Sequence, residues 1–318
     1  MKKILVFTMG LILLLAVGCQ SQNITVTTQE TSEETSQTQV KDPQDMTLSI
    51  GLMPAVDTAP ILLADEKGYF ADLGLEVNID IYTNAQDRQT ALQTQSIDAA
   101  LTDLVALATN VNSGFDIKAT TITDGMFPIL AVPSSVDKSS ISVGMMEVSV
   151  SNFLVDEWLS DTYEIEKVFI NPIPGRLEAV ATKQIDMGLF PEPVATIGES
   201  KGLTKLVFEP QDKNFPDVMV FTGKAIQEKP EAIKAFHEAF NLAVQDINEN
   251  ESLARDVLVK RIPNIKVEVK DIMLLPTYME ARLPNADYVQ KIIDWTNEEL
   301  KLELTVSPSD LVDGSFIQ

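Results

Sequence analysis

Six residues recur at a single offset of 88 along this chain. Arg88, Ala91, Thr94, Ile97, Asp98 and Leu101 return as Arg176, Ala179, Thr182, Ile185, Asp186 and Leu189. Between them, Gln95-Ser96-Ile97-Asp98 matches Lys183-Gln184-Ile185-Asp186 in type. Each copy reads as a helix, a polar turn and a short apolar strand opening on Ile-Asp. A chain that carries one α–turn–β unit twice is expected to build two similar lobes.

The remaining pattern agrees. Thr47 to Leu52 and Leu75 to Ile81 alternate like strands, with a helix from Pro60 to Phe70 between them. Asp87 to Gln95 reads as a helix and Ile97 to Leu101 as a buried strand. Strands alternating with helices predict a mainly parallel α/β fold. Residues 46–135 and 217–318 are expected to form the first lobe, and 136–216 the second. The second lobe starts with the strand Ile141 to Met145, the helix Asn152 to Ser160 and the strand Val168 to Ile170. The chain returns near Asp217 to Phe221, then enters a long helix from Pro230 to Asn248, a proline suited to a first helical turn. The last helix, Asp287 to Leu300, is expected to pack on the first lobe. Two crossings, near Val132 to Ser139 and near Asn214 to Val220, would make the hinge.

Ahead of this lies an address. Lys2 and Lys3 precede an apolar run from Ile4 to Val17, too short for a bilayer span, which needs about 20 residues. It fits a signal peptide over residues 1–18. The run ends at Leu15-Ala16-Val17-Gly18-Cys19, which resembles a bacterial lipobox, so Cys19 is the expected site of lipidation. An ordinary secretory signal with a chance cysteine is the alternative. Residues 19–45, rich in Gln, Ser, Thr and Glu, cannot bury enough apolar surface to offset their ordering entropy and read as a tether. Cys19 is the chain's only cysteine, which excludes an intramolecular disulfide and zinc-ribbon spacing. The net charge of −23, from 47 acidic and 24 basic residues, carries no basic stripe and argues against nucleic acid as a partner. It would also repel anionic membrane surfaces, leaving the acyl chain on Cys19 as the anchor.

Several stretches together resemble one family: Gly51-Leu52-Met53-Pro54, Ala64-Asp65-Glu66-Lys67-Gly68-Tyr69-Phe70, Leu73-Gly74-Leu75-Glu76-Val77 and Ile97-Asp98-Ala99-Ala100-Leu101-Thr102-Asp103. They are similar to the solute-binding proteins of the nitrate, alkanesulfonate, taurine and thiamine-pyrimidine importers. Arg176-Leu177-Glu178-Ala179-Val180 and Phe190-Pro191-Glu192-Pro193 resemble the second-lobe pattern of the same group. The resemblance implies a two-lobed α/β periplasmic-binding fold of type II, a small-molecule ligand, and permease and ATPase partners of an ABC importer. It also implies a lipid-anchored place on the extracytoplasmic face. The Gly-Tyr-Phe…Gly-Leu-Glu-Val stretch itself reads as architecture, since Gly68 suits a left-handed helix end.

In open α/β sheets ligands bind beyond the carboxyl ends of the strands, and that rule selects the candidate contacts. In the first lobe they are Met53, Asp57, Thr58, Tyr82, Asn84, Thr102 and Asp103, with Phe127 beside the cleft. The second lobe offers Glu147, Ser149, Arg176, Phe190 and Glu192. Helix capping competes with ligand contact at Asp57, Thr58, Thr102, Asp103 and Ser149. For the aromatics the competitor is core packing. Arg176 faces the rival of a structural role shared with Arg88. Glu192, between Pro191 and Pro193, is read as a carboxylate aimed into the cleft by a stiff loop.

Capture of a ligand between closing lobes is the leading reading. An enzyme is the alternative, because the group also resembles a pyrimidine-forming synthase. Against it, His237 is the only histidine and lies in the Pro230 helix, and no cysteine nucleophile, Gly-rich phosphate loop or metal-ligand spacing is present. No cofactor and no metal are expected. The loops hold Asp57, Asp103, Glu147 and Glu192 against one arginine, which leans toward a ligand with amino or ring N–H groups such as a thiamine-type pyrimidine. Alkanesulfonate, taurine or nitrate is the other option.

Overall fold

The computed structural model describes residues 45–209, 213–263 and 265–317. The signal peptide, Cys19 and most of the tether lie outside them. Ten strands among these residues form two sheets of five. The first has the order β2-β1-β3-β10-β4, built from β1 (Thr47–Leu52), β2 (Glu76–Ile81), β3 (Ala99–Asp103), β4 (Ile117–Ile122) and β10 (Asp217–Thr222). The second has the order β7-β6-β8-β5-β9, from β5 (Ile129–Ala131), β6 (Ser140–Met145), β7 (Glu164–Phe169), β8 (Met187–Leu189) and β9 (Thr204–Leu206). In each sheet the first three strands run parallel and one strand is reversed: β10 against β3 and β4, β5 against β8 and β9.

Burial follows sheet position. The inner strand β10 is buried at every residue, as a strand covered on both faces must be. The edge strand β2 alternates and exposes Glu76, Asn78 and Asp80, and β7 exposes Glu164 and Glu166, polar rows that blunt both edges.

The 88-residue echo is a true structural repeat. Helices Ala85–Gln93 and Ile173–Ala181 each lead through a left-handed residue, Gln95 at φ 56° and Lys183 at φ 61°, into β3 and β8. Asp98 Oδ2 accepts the Ser49 N–H at 2.9 Å, and Asp186 Oδ2 accepts the Ser142 N–H at 3.0 Å. The stems of Arg88 and Arg176 lie over Gly51 and Gly144. A Cβ there would come within 3.3 Å and 3.0 Å of the respective Cγ atoms, and within 2.7 Å and 2.6 Å of Ile97 and Ile185 Cδ1. β3 and β8 lie in different sheets, as two lobes require.

Two expectations need correction. β5 pairs with β8 and β9, so it belongs to the second sheet, and the first crossing runs through 123–128 instead of 132–139. The second crossing lies between β9, which ends at Leu206, and β10, which starts at Asp217. A three-residue apolar strand before a Pro-Ser turn carries no sign of which sheet it joins; pairing alone decides that. The final helix, Ala286–Leu300, also packs on both lobes. Its Trp295 meets Phe153 edge-on at 5.5 Å and donates from Nε1 to Asp156 Oδ2 at 2.9 Å, while Glu299 pairs with Lys167 at 2.8 Å. One apolar cluster accordingly runs from Leu104 and Leu107 of the first lobe through Ile292 and Ile293 to Phe153 and Val143 of the second.

Candidate functional site

The carboxyl ends of the parallel strands face each other across a cavity of about 100 Å³. That is several times the roughly 10–15 Å³ one water occupies by the same measure. Met53, Phe127, Met146, Ile173 and Leu189 are among its apolar lining residues. Its polar groups are Arg88, Thr102, Asp103 and Asp217 from the first lobe, and Ser149, Ser151 and Arg176 from the second.

Topology explains how they meet. Asp103 ends β3, and its Oδ1 caps the Leu104–Asn112 helix by accepting the Ala106 N–H at 2.8 Å. Because β10 runs antiparallel to β3, Asp217 at its amino end pairs in register with Asp103. Like charges opposite each other on neighbouring strands repel. Burial, then Asp57 and then Asp103, push the Asp217 carboxyl well above the usual range, with Arg88 opposing. Asp57, behind Asp217, is raised to about 6, chiefly by burial. Thr123 Oγ1 donates to Asp57 Oδ2 at 3.0 Å, while Oδ1 has no conventional donor. A side-chain hydrogen bond between Asp57 and Asp217 favours the charged form of the first and the protonated form of the second, so the two carboxyls form one proton-sharing pair.

The arginines differ in company. Arg88 donates from Nη2 to Thr102 Oγ1 at 3.0 Å and has Asp103, Asp217 and Asp57 around it. Arg176, only 2% exposed, donates from Nη1 to the Ile170 carbonyl at 2.9 Å and stacks 5.3 Å above Phe190. Burial lowers its pKa to about 10, and no carboxylate acts against that. The Nε of each guanidinium is buried without a partner.

Closure contacts are visible as well. The Val150 N–H, at the start of the Val150–Leu159 helix, and the Ser149 hydroxyl both favour the Asp103 carboxylate from the opposite lobe, though burial raises its pKa overall. Val56 N–H donates to the Glu192 carbonyl at 3.1 Å.

Six of the sequence candidates line the cavity: Met53, Thr102, Asp103, Phe127, Ser149 and Arg176. The others stand elsewhere. Thr58 bonds its own loop at the Ala55 carbonyl, Asn84 caps the Ala85–Gln93 helix, and Tyr82 lies against Gly51. Glu147 is exposed, Phe190 lies beneath Arg176, and Asp57 sits behind Asp217. Glu192 corrects the sequence reading most. Its Oε2 accepts the Thr196 N–H at 3.0 Å, and its Oε1 accepts Thr196 Oγ1 at 2.9 Å and Lys205 Nζ at 3.1 Å. The stiff loop aims the carboxylate into its own helix start, and Glu192 is not among the residues that line the cavity. Asp217 and Ser151 were missed: the strand-end rule looks after strands, and Asp217 opens a reversed one. Arg88 was marked by the echo but read as structural.

The family model described as NMT1/THI5 like matches residues 55–253. No curated protein matches the chain in sequence. Among solved structures, the fold is similar to a ligand-binding component of an ABC-type import system from Staphylococcus aureus with zinc bound, at 15% identity and TM-score 0.71, over 85% of this chain and 97% of that one. The alkanesulfonate-binding protein from Xanthomonas axonopodis pv. citri, bound to MOPS, aligns at 12% identity and TM-score 0.68, over 85% and 99%. The periplasmic nitrate-binding protein from Synechocystis aligns at 16% identity and TM-score 0.58, over 68% and 66%. These likenesses establish the two-lobed periplasmic-binding fold. No helix among the described residues is long and apolar enough to cross a membrane.

Proposed function

Since the chain belongs to the NMT1/THI5-like family, we propose that it is the solute-binding component of an ATP-driven importer. It takes a small nitrogen-bearing organic molecule between its lobes and hands it to a membrane permease powered by an ATPase. The supporting observation is the cavity itself: both lobes wall it, and each contributes a buried arginine whose Nε lacks a partner. A ligand that touches both walls favours the closed state, because it gains contacts there that the open state lacks.

N–H groups on the ligand suit the first-lobe wall, where Asp103 and Asp217 accept them. A pyrimidine with an exocyclic amine has the matching donor and ring acceptor. Arg176 favours a second reading, an anion such as a sulfonate or nitrate, because it is a buried cation without a counter-ion. The protein is read as a binder with no turnover of its own. His237, buried on the Pro230–Glu249 helix against Thr120, stands outside the cavity.

Calorimetry and mass spectrometry on the same sample test this. The expected result is saturable binding that raises the melting temperature and returns the compound unchanged. Chemical conversion of the bound compound would overturn the importer reading. Lipidation of Cys19 is part of the proposal. Cys19→Ala is expected to move the protein from the membrane fraction to the soluble fraction, and unchanged membrane retention would remove the anchor from the account.

A further inference from the structure

The cavity is electrically lopsided. On the first-lobe side one guanidinium, Arg88, faces three carboxyls, Asp57, Asp103 and Asp217. On the second-lobe side Arg176 stands alone among the described residues: it forms no ion pair, and its one hydrogen bond goes to a neutral carbonyl. Arg88, Asp103 and Asp217 from the first side and Arg176 from the second line the same cavity. An unpaired buried cation is costly, and a protein keeps one where a counter-ion arrives from outside. The acidic side calls for the opposite charge.

We infer that the ligand is bipolar, carrying an amine that faces Asp103 and Asp217 on the first lobe and an acidic group that faces Arg176 on the second. The inference rests on the importer reading and deepens it. A bipolar molecule is also what closure needs, since each end satisfies a different lobe and neither end alone holds both. It reconciles the two ligand readings as two ends of one molecule. Ligand binding also disturbs the Asp57–Asp217 pair. An ammonium beside it favours ionisation of both carboxyls, so the shared proton leaves as the ligand enters.

The test is calorimetry of the purified protein with matched probes. β-Alanine and taurine carry both groups, propionate and ethanesulfonate the acid alone, ethylamine the amine alone, and 4-aminopyrimidine no net charge. The bipolar probes are expected to bind at least tenfold more tightly than any single-group probe. Near pH 6 they are expected to release a proton, read as a dependence of the heat on the buffer's ionisation enthalpy. Arg176→Gln is expected to erase the advantage of the acidic group. Asp103→Asn, which keeps an oxygen to cap its helix, is expected to erase that of the amine. The unmodified protein decides the question even where a variant fails to fold. Equal binding of acid-only and bipolar probes, or tighter binding of 4-aminopyrimidine than of both bipolar probes, overturns the inference. Either result leaves the importer reading standing, which falls only on chemical conversion of a bound probe.

Discussion

Glu192→Ala is expected to cost about 3 kcal/mol of folding stability and to change ligand affinity by less than about twofold. The carboxylate is fully buried and holds three donors: the Thr196 N–H, the Thr196 hydroxyl and the Lys205 ammonium. Removing it strands Lys205, whose side chain is only 9% exposed. The loss sits at the low end for a broken buried ion pair, because Lys205 keeps Glu199 at 2.8 Å. Glu192 also anchors the crossing through its backbone, with its N–H on the Met126 carbonyl and its own carbonyl accepting Val56 N–H. Those bonds survive the substitution, so the lobes keep their register. Urea unfolding and calorimetry on one preparation check this. A tenfold loss of affinity at unchanged stability would return Glu192 to the ligand wall.

The second large effect is on the pH dependence of stability. Asp57 keeps its proton in the fold up to about 6 because burial disfavours the charged form, whereas the ordinary value is 3.8. Its contribution is therefore fully present below pH 3.8 and lost as pH rises through 6. At about 1.4 kcal/mol per pH unit, that loss is about 3 kcal/mol. His237 slopes the other way. Burial lowers its pKa from 6.5 to about 3, so the unfolded chain takes up a proton first and stability falls as pH drops below 6.5. Between pH 4 and 6 the Asp57 and His237 slopes oppose each other, and Asp217, raised by the same burial, adds to the Asp57 side, so the unmodified protein is expected to lose stability as pH rises there. Asp57→Asn removes one slope and keeps an acceptor for the Thr123 hydroxyl. Relative to the unmodified protein the variant is expected to gain about 3 kcal/mol between pH 4 and pH 7. A pH-independent difference between the two would show that Asp57 ionises normally in the fold.

Much of the architecture was legible in order along the chain. Periodicity placed β1 at Thr47–Leu52 and the long helix from Pro230 to Asn248, one residue short of its end at Glu249, because apolar spacing is a local property. The repeat at offset 88 showed two lobes, and it marked Arg88 and Arg176 as equivalent before either had a position in space. The strand-end rule found Thr102, Asp103, Ser149 and Arg176, since parallel strands all present their carboxyl ends to the same side.

What only the tertiary structure decided were matters of pairing and direction. No local signal says that β5 joins the second sheet or that β10 runs backwards. Yet the reversal of β10 brings Asp217 opposite Asp103 and creates the proton-sharing pair with Asp57. Side-chain aim was equally hidden. Pro191-Glu192-Pro193 reads as a carboxylate held toward a ligand, but the nearest unsatisfied donors are the amide and hydroxyl of Thr196, four residues on. Lys205 reaches the same carboxylate from β9. A buried charge turns toward whichever donors the fold brings closest. Sequence by itself therefore determined two lobes, their repeated unit and several of the loops that line the cavity. Which charges face that cavity was settled by sheet pairing, which sets residues far apart in the chain side by side.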